Sequence, residues 1–135
     1  MMLTEVTTVP GAALLVQAMK DHLRLGTGFA MPAGQDTLLE SYLRAALAAI
    51  EGRIAKALFE RRFRWRLEDW PEADGAALPL APVSAIVSVK LVDAAAGETV
   101  LAPATWKLVS DLHRPRLAGL GGSLPPVPTD GQAVV

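Results

Sequence analysis

The apolar residues of this chain change their spacing once, and that change restricts the fold more than any other feature. From Thr37 to about Glu60 they recur every three or four positions, which predicts a long amphipathic helix. From Phe63 to Leu67 they alternate with arginines, which is typical of a half-buried strand. Helical spacing followed by alternation predicts an α+β fold, in which helices precede a small antiparallel sheet.

A shorter helix is expected before the long one. Val16, Met19 and Leu23 share one face, and Gly26 is placed to end the helix. Because His22 lies beside that apolar face, we expect a partly buried structural histidine.

The long helix has two competing N-terminal caps. Thr37 and Glu40 fit a capping box, whereas Asp36 also suits the helix dipole. The connection before it contains two apolar side chains, Phe29 and Met31. It is either a surface loop that tucks Phe29 inward or a mobile loop that docks both side chains on a partner.

Further strands are expected after Trp70-Pro71, which ends the first one. A proline-rich entry, residues 78–82, leads into a strand from Val83 to Val92, and residues 94–98 form a hairpin loop. The remaining predicted strands are Thr99 to Leu101, Trp106 to Ser110 and the start of a last one at Gln132 to Val135.

A length of 135 residues leaves room for one domain and little more. Glycines and prolines dominate from Pro115 onward, which predicts a linker or long loop and not a second domain. We therefore expect a single domain over residues 1–135, with a helical part at 12–60, a β part at 61–112 and a Pro/Gly-rich segment at 113–135.

The composition excludes several classes of function. With no cysteine and two histidines, the chain has no disulfide, thiolate metal site or cysteine nucleophile. A formal net charge of −1 argues against a protein that coats nucleic acid by bulk charge. The N-terminus lacks a basic segment, and its longest apolar stretch, Val9 to Val16, is too short to span a membrane. We expect a protein made in the cytoplasm that has no contact with a membrane.

No group of residues points to a specific catalytic, metal or cofactor site. Gly119, Gly121 and Gly122 precede no predicted helix, so they do not form a nucleotide-binding loop. Asp111 and His113 are spaced like an orienting carboxylate and a base, but a turn capped by Asp111 explains them equally well. We expect no enzyme activity; a small hydrolase that uses His113 and Asp111 is the enzymatic alternative.

The strongest polar feature is a cluster of four arginines within six positions: Arg61, Arg62, Arg64 and Arg66. Three interpretations compete. The cluster is a solvated strand face that prevents edge-to-edge aggregation, a contact for an acidic surface of a partner protein, or a phosphate-facing patch near DNA.

Several of these segments together resemble one family. The run Val16-Gln17-Ala18-Met19-Lys20-Asp21-His22-Leu23-Arg24-Leu25 resembles the "L-x-E-A-K-x-H-L-R-V" helix of head–tail connector proteins, the adaptors of tailed phages and phage-like gene transfer agents. The long helix, the strand ending at Trp70-Pro71, the proline-rich entry before Val83 and the Trp106-Lys107-Leu108 strand follow in the same order. The resemblance covers about residues 14 to 120.

Two positions and one segment depart from the family pattern. Leu15 stands where the family has Ser or Thr, and Ala18 where it has Glu, so the first helix is expected to start differently. Family members usually continue with a strand and a C-terminal helix that helps dock on the portal, and these residues lack that segment.

The resemblance implies a structural protein of a virion or phage-like particle. Such adaptors form a ring, usually of twelve copies, between the portal and the head–tail stopper and tail, around a channel through which DNA passes without sequence-specific binding. The two faces of the long helix would then serve the core and a neighbouring copy, and Arg62, Arg64 and Arg66 would face an acidic partner or the channel. The alternative is a small regulatory DNA-binding protein that uses the arginine strand as a β-ribbon.

Overall fold

The computed structural model describes residues 1–23 and 33–135, without the side chains of residues 33 and 34. Two compact units are present. The helical unit spans Thr8–Glu60. The β unit combines Met1–Thr7 with Arg61–Val135.

The helical unit contains α1 (Val16–His22) and α2 (Ala33–Ile54), preceded by a 3₁₀-helix at Gly11–Ala13. The predicted short helix is confirmed. Among the described residues, the buried apolar side chains of the helical unit are Val9, Leu14 and Leu39. The Arg44 guanidinium donates to the Val9 carbonyl oxygen at 2.9 Å and to the Glu40 carboxylate at 2.7 Å, so it joins α2 to the chain before the 3₁₀-helix.

Both ends of the long helix were predicted wrong. α2 already begins at Ala33, so Thr37 lies within it, where its carbonyl oxygen accepts a hydrogen bond from the Ser41 hydroxyl at 2.9 Å. There is therefore no capping box at Thr37. The helix ends at Ile54 and not near Glu60, because Ala55 adopts a left-handed conformation with φ 53°.

The β unit contains two antiparallel sheets. A five-stranded sheet has the order β1-β2-β8-β4-β5, and a three-stranded sheet has the order β3-β7-β6. The strands are β1 (Met2–Glu5), β2 (Phe63–Leu67), β3 (Gly75–Ala77), β4 (Lys90–Val92), β5 (Glu98–Val100), β6 (Trp106–Val109), β7 (Arg116–Gly119) and β8 (Gln132–Val134).

The first predicted strand is confirmed, but two later expectations need correction. Of the strand expected at Val83 to Val92, only Lys90–Val92 is paired, because its partners β5 and β8 are three residues long. The segment 113–135 is not merely a linker or long loop. It supplies β7 and β8, and β8 pairs with both β2 and β4.

Both sheets contribute buried side chains to the core of the β unit. From the five-stranded sheet, Trp65, Leu67, Leu91 and Ala133 are buried, and from the other sheet Leu117 is fully buried. The close approach of β3 to β7 requires a glycine, since a Cβ at Gly75 would collide with the Leu117 carbonyl oxygen.

Candidate interaction surfaces

The face of the five-stranded sheet that lies opposite the core carries the predicted arginines. Antiparallel pairing places Met2 and Val134 on either side of Arg66, and Lys90 pairs with Val134 and Val100. Since directly paired residues share a face, these side chains form one row across all five strands. We call this surface the arginine face and define it by Arg62, Arg64, Arg66 and Lys90.

The arginine face is open and unbalanced in charge. Arg62 and Arg64 are exposed and Arg66 is half-exposed, and within the described part of the chain no ion pair involves their guanidinium groups. One carboxylate is nearby: Glu98 accepts a hydrogen bond from Lys90 Nζ at 2.8 Å. That bond, the charge of Lys90 and, more weakly, the charge of Arg64 lower the pKa of Glu98.

Arg61, the fourth arginine of the cluster, has a different environment. Its Nη1 lies 3.1 Å from the Glu5 carboxylate, and its guanidinium carbon lies 5.2 Å from the centroid of the Phe63 ring. The side chain is only 10% exposed. Arg61 therefore links β1 to the start of β2, and the structure does not bring it together with the arginine face.

An acidic segment follows β2, where the chain leaves the five-stranded sheet. The segment spans residues 68–74, and its carboxylates belong to four exposed residues: Glu68, Asp69, Glu72 and Asp74. The Arg116 guanidinium of β7 pairs with Glu72 and lies 3.6 Å from Asp74. One cation thus lies beside two of the four carboxylates. The sequence analysis did not identify this segment.

Asp111 and His113 form a turn and not a catalytic pair. The Asp111 carboxylate accepts hydrogen bonds from the backbone N–H groups of His113 and Arg114, both at 2.7 Å. These two bonds lower the pKa of Asp111, because they favour its charged form. The carboxylate is therefore engaged by the backbone. Across residues 1–23 and 33–135, no group of three or more His, Asp and Glu side chains is arranged to hold a metal ion.

The helical unit presents a second surface, on an exposed part of α2 next to the buried Leu39. Leu38 and Tyr42 are 51% and 58% exposed, and Ala45 and Ala49 continue the same line. A Cβ added at Gly52, one turn further, would meet no atom within 4 Å, so the close backbone approach that a glycine indicates is absent here. We call this line of residues the α2 stripe.

The residues of the family motif have several environments. Lys20 pairs with Asp36 of α2, and His22 is exposed, contrary to the partly buried position expected for it. Leu23 is exposed as well. Trp70 is buried, whereas Pro71 is exposed. Four predicted positions lie outside the described residues: Arg24, Gly26, Phe29 and Met31.

No helix within the described ranges is long and apolar enough to cross a membrane.

Solved structures of gene transfer agent particles contain chains similar to this one. A chain in the neck of an empty particle, with C6 symmetry, is 55% identical with a TM-score of 0.93, and the match covers 99% of this chain and 68% of that chain. A chain in the virion of a native particle is 55% identical with a TM-score of 0.88, covering 99% and 69%. A chain in the neck of a native particle, with C12 symmetry, is 50% identical with a TM-score of 0.86, covering 99% and 66%.

No protein-family model and no curated protein matches the chain.

Proposed function

Because this chain belongs to the head–tail connector family of gene transfer agent particles, we propose that it is a structural, non-enzymatic subunit of the particle neck. Its copies form a ring, of twelve subunits, between the portal and the stopper and tail proteins. DNA passes through the ring without sequence-specific binding. The observation that carries the proposal is the likeness to neck chains at 55% identity over 99% of this chain.

The chemistry of the chain supports a structural role. The one arrangement that resembled a catalytic pair is a turn in which the Asp111 carboxylate is engaged by two backbone N–H groups. In contrast, the chain presents large side chains such as Tyr42 that gain from burial against another protein.

We assign the α2 stripe to the contact between neighbouring copies. A closed ring needs heterologous contacts, in which one patch meets a different patch on the next copy. The stripe lies on an exposed part of α2, and Leu38, Tyr42, Ala45 and Ala49 carry no charge that burial would have to compensate.

The proposal is tested in cells that produce the particle, by deleting the gene and examining the particles by electron microscopy. We expect DNA-filled heads without tails, and restoration of tails when the chain is expressed from a plasmid. A tagged chain should also sediment with complete particles. Tailed particles in the deletion strain would contradict the proposal.

A further inference from the structure

Opposite charges are separated within the β unit. The arginine face carries four cations and one carboxylate, whereas the acidic segment carries four carboxylates, two of which lie beside Arg116 of β7. The chain as a whole has a formal net charge of only −1, so the separation does not reflect a generally basic or acidic protein.

The two regions do not neutralise each other within one chain. β2 carries arginines, and the acidic segment begins directly after it, but two of the carboxylates of that segment, Glu72 and Asp74, lie beside Arg116 of the other sheet. Among the described residues, no ion pair joins Arg62, Arg64 or Arg66 to residues 68–74. Both regions therefore keep charge for a partner outside the chain.

The composition of the arginine face favours a protein partner over DNA. Its central row alternates cations with apolar residues, since Met2, Val134 and Val100 flank Arg66 and Lys90. Met2 and Val100 are 52% and 60% exposed. Arginine among apolar side chains is typical of protein interfaces, whereas surfaces that bind phosphates are more uniformly basic.

We propose that the arginine face of one copy binds the acidic segment of the next copy in the ring. This inference rests on the proposed function, because a head-to-tail contact between two different patches of one chain is what a closed ring requires. The charges of the two patches are complementary, so the same contact repeats at every subunit boundary. Like charges at the wrong register disfavour other arrangements of the copies.

One double variant reverses the charge of each patch, and the second of them gives up the 3.6 Å approach of Asp74 to Arg116. Arg62→Glu with Arg64→Glu reverses the arginine face at two exposed positions. Glu68→Lys with Asp74→Lys reverses the acidic segment and retains Glu72 as the partner of Arg116. A matched control, Lys107→Glu with Arg114→Glu, makes the same charge change as the first variant on exposed residues that belong to neither patch. Circular dichroism and urea unfolding verify that all three remain folded.

Each variant is expressed in the deletion strain, and tailed particles are counted by electron microscopy. Each reversed patch alone should lower the number of tailed particles at least about tenfold, because like charges then meet at every boundary. The control should behave as the unchanged chain.

The decisive measurement is co-expression of the two variants. One variant then has two acidic patches and the other two basic patches, so a ring of alternating copies restores opposite charges at every boundary. We expect tailed particles to return, with both variants in the neck. If co-expression leaves them as rare as either variant alone, the arginine face binds another acidic protein or DNA, and the inference is wrong.

If both variants alone assemble normally, the inference is also wrong while the proposed function stands. Failure of the unchanged chain to restore tails would instead overturn the proposed function.

Discussion

The indole Nε1 of Trp70 donates a hydrogen bond to the carbonyl oxygen of Pro125, at 2.8 Å, and joins the end of β2 to the proline-rich segment that leads to β8. Trp70 is buried and the bond itself is partly buried, so the access of water to the Pro125 carbonyl oxygen is restricted. The bond fixes a segment that has no regular structure of its own between β7 and β8.

Replacing Trp70 with Phe should lower the free energy of unfolding by about 1–3 kcal/mol, since a partly buried carbonyl oxygen loses its donor. Urea denaturation measures the change. Trp106→Phe is the matched control, because the Trp106 indole lies 3.4 Å from the Leu101 carbonyl oxygen, at the limit of a hydrogen bond. Equal losses in the two variants would show that the Pro125 bond does not stabilise the fold.

Leu117 is fully buried in β7 and is expected to be among the most sensitive core positions. Leu117→Ala should lower the free energy of unfolding by about 2–5 kcal/mol, because it removes buried apolar volume and leaves a cavity. Leu112→Ala, at a position 69% exposed, should change it by less than about 0.5 kcal/mol. The urea concentrations at the unfolding midpoints of the two variants are compared. Similar midpoints would contradict the central position of Leu117 in the core.

The lowered pKa of Asp111 predicts a specific dependence on pH. Its charged carboxylate is favoured in the folded state by the N–H groups of His113 and Arg114. The stabilisation is therefore complete above the ordinary Asp pKa of about 4 and is lost as the pH falls through the lower value in the folded protein.

Asp111→Asn removes this titration, so its free energy of unfolding should fall less steeply than that of the unchanged chain as the pH is lowered below about 4. Urea unfolding at a series of pH values measures both slopes. Parallel curves would refute the role of Asp111.

His113→Ala should leave tail attachment unchanged, whereas a hydrolase that used His113 as its base would lose its function.

The α2 stripe offers a test of the subunit contact proposed for it. Leu38→Glu with Tyr42→Glu should leave the folded chain stable to within about 1 kcal/mol, because both side chains are exposed. The variant should nevertheless fail to restore tails in the deletion strain, since it buries two carboxylates at each boundary. Ala48→Glu is the control, as an exposed position on the flank of the stripe. Normal tail attachment with the double variant would show that the α2 stripe does not contact a neighbouring subunit.

Strands with strong local patterns could be predicted, and strands defined by distant partners could not. In β2, aromatic and apolar residues alternate with arginines, so its bounds were readable from five residues alone. In contrast, β3 is Gly-Ala-Ala and β7 is Arg-Leu-Ala-Gly, and neither strand was predicted. Such segments become strands only because a neighbour on one or both sides supplies hydrogen bonds.

The same limit applies to the candidate surfaces. Arg62, Arg64 and Arg66 share a face by alternation, but Lys90 joins them only through its register with Val134 of β8. Arg61 belonged to the same local cluster, yet its partner Glu5 lies 56 positions away in β1. The sequence shows that four arginines lie close together. Only the fold shows that Arg61 pairs with Glu5 inside the chain, whereas the other three lie on an open face of the sheet.

The insertion of β8 between β2 and β4 determines the order in which the large sheet is completed. The β1–β2 pair and the β4–β5 hairpin share no ladder of their own, so each remains a two-stranded ribbon until residues 132–134 arrive. During synthesis these residues leave the ribosome after every other strand of the sheet. The arginine row is therefore assembled last, and a nascent chain does not yet display the surface that we propose its neighbours recognise.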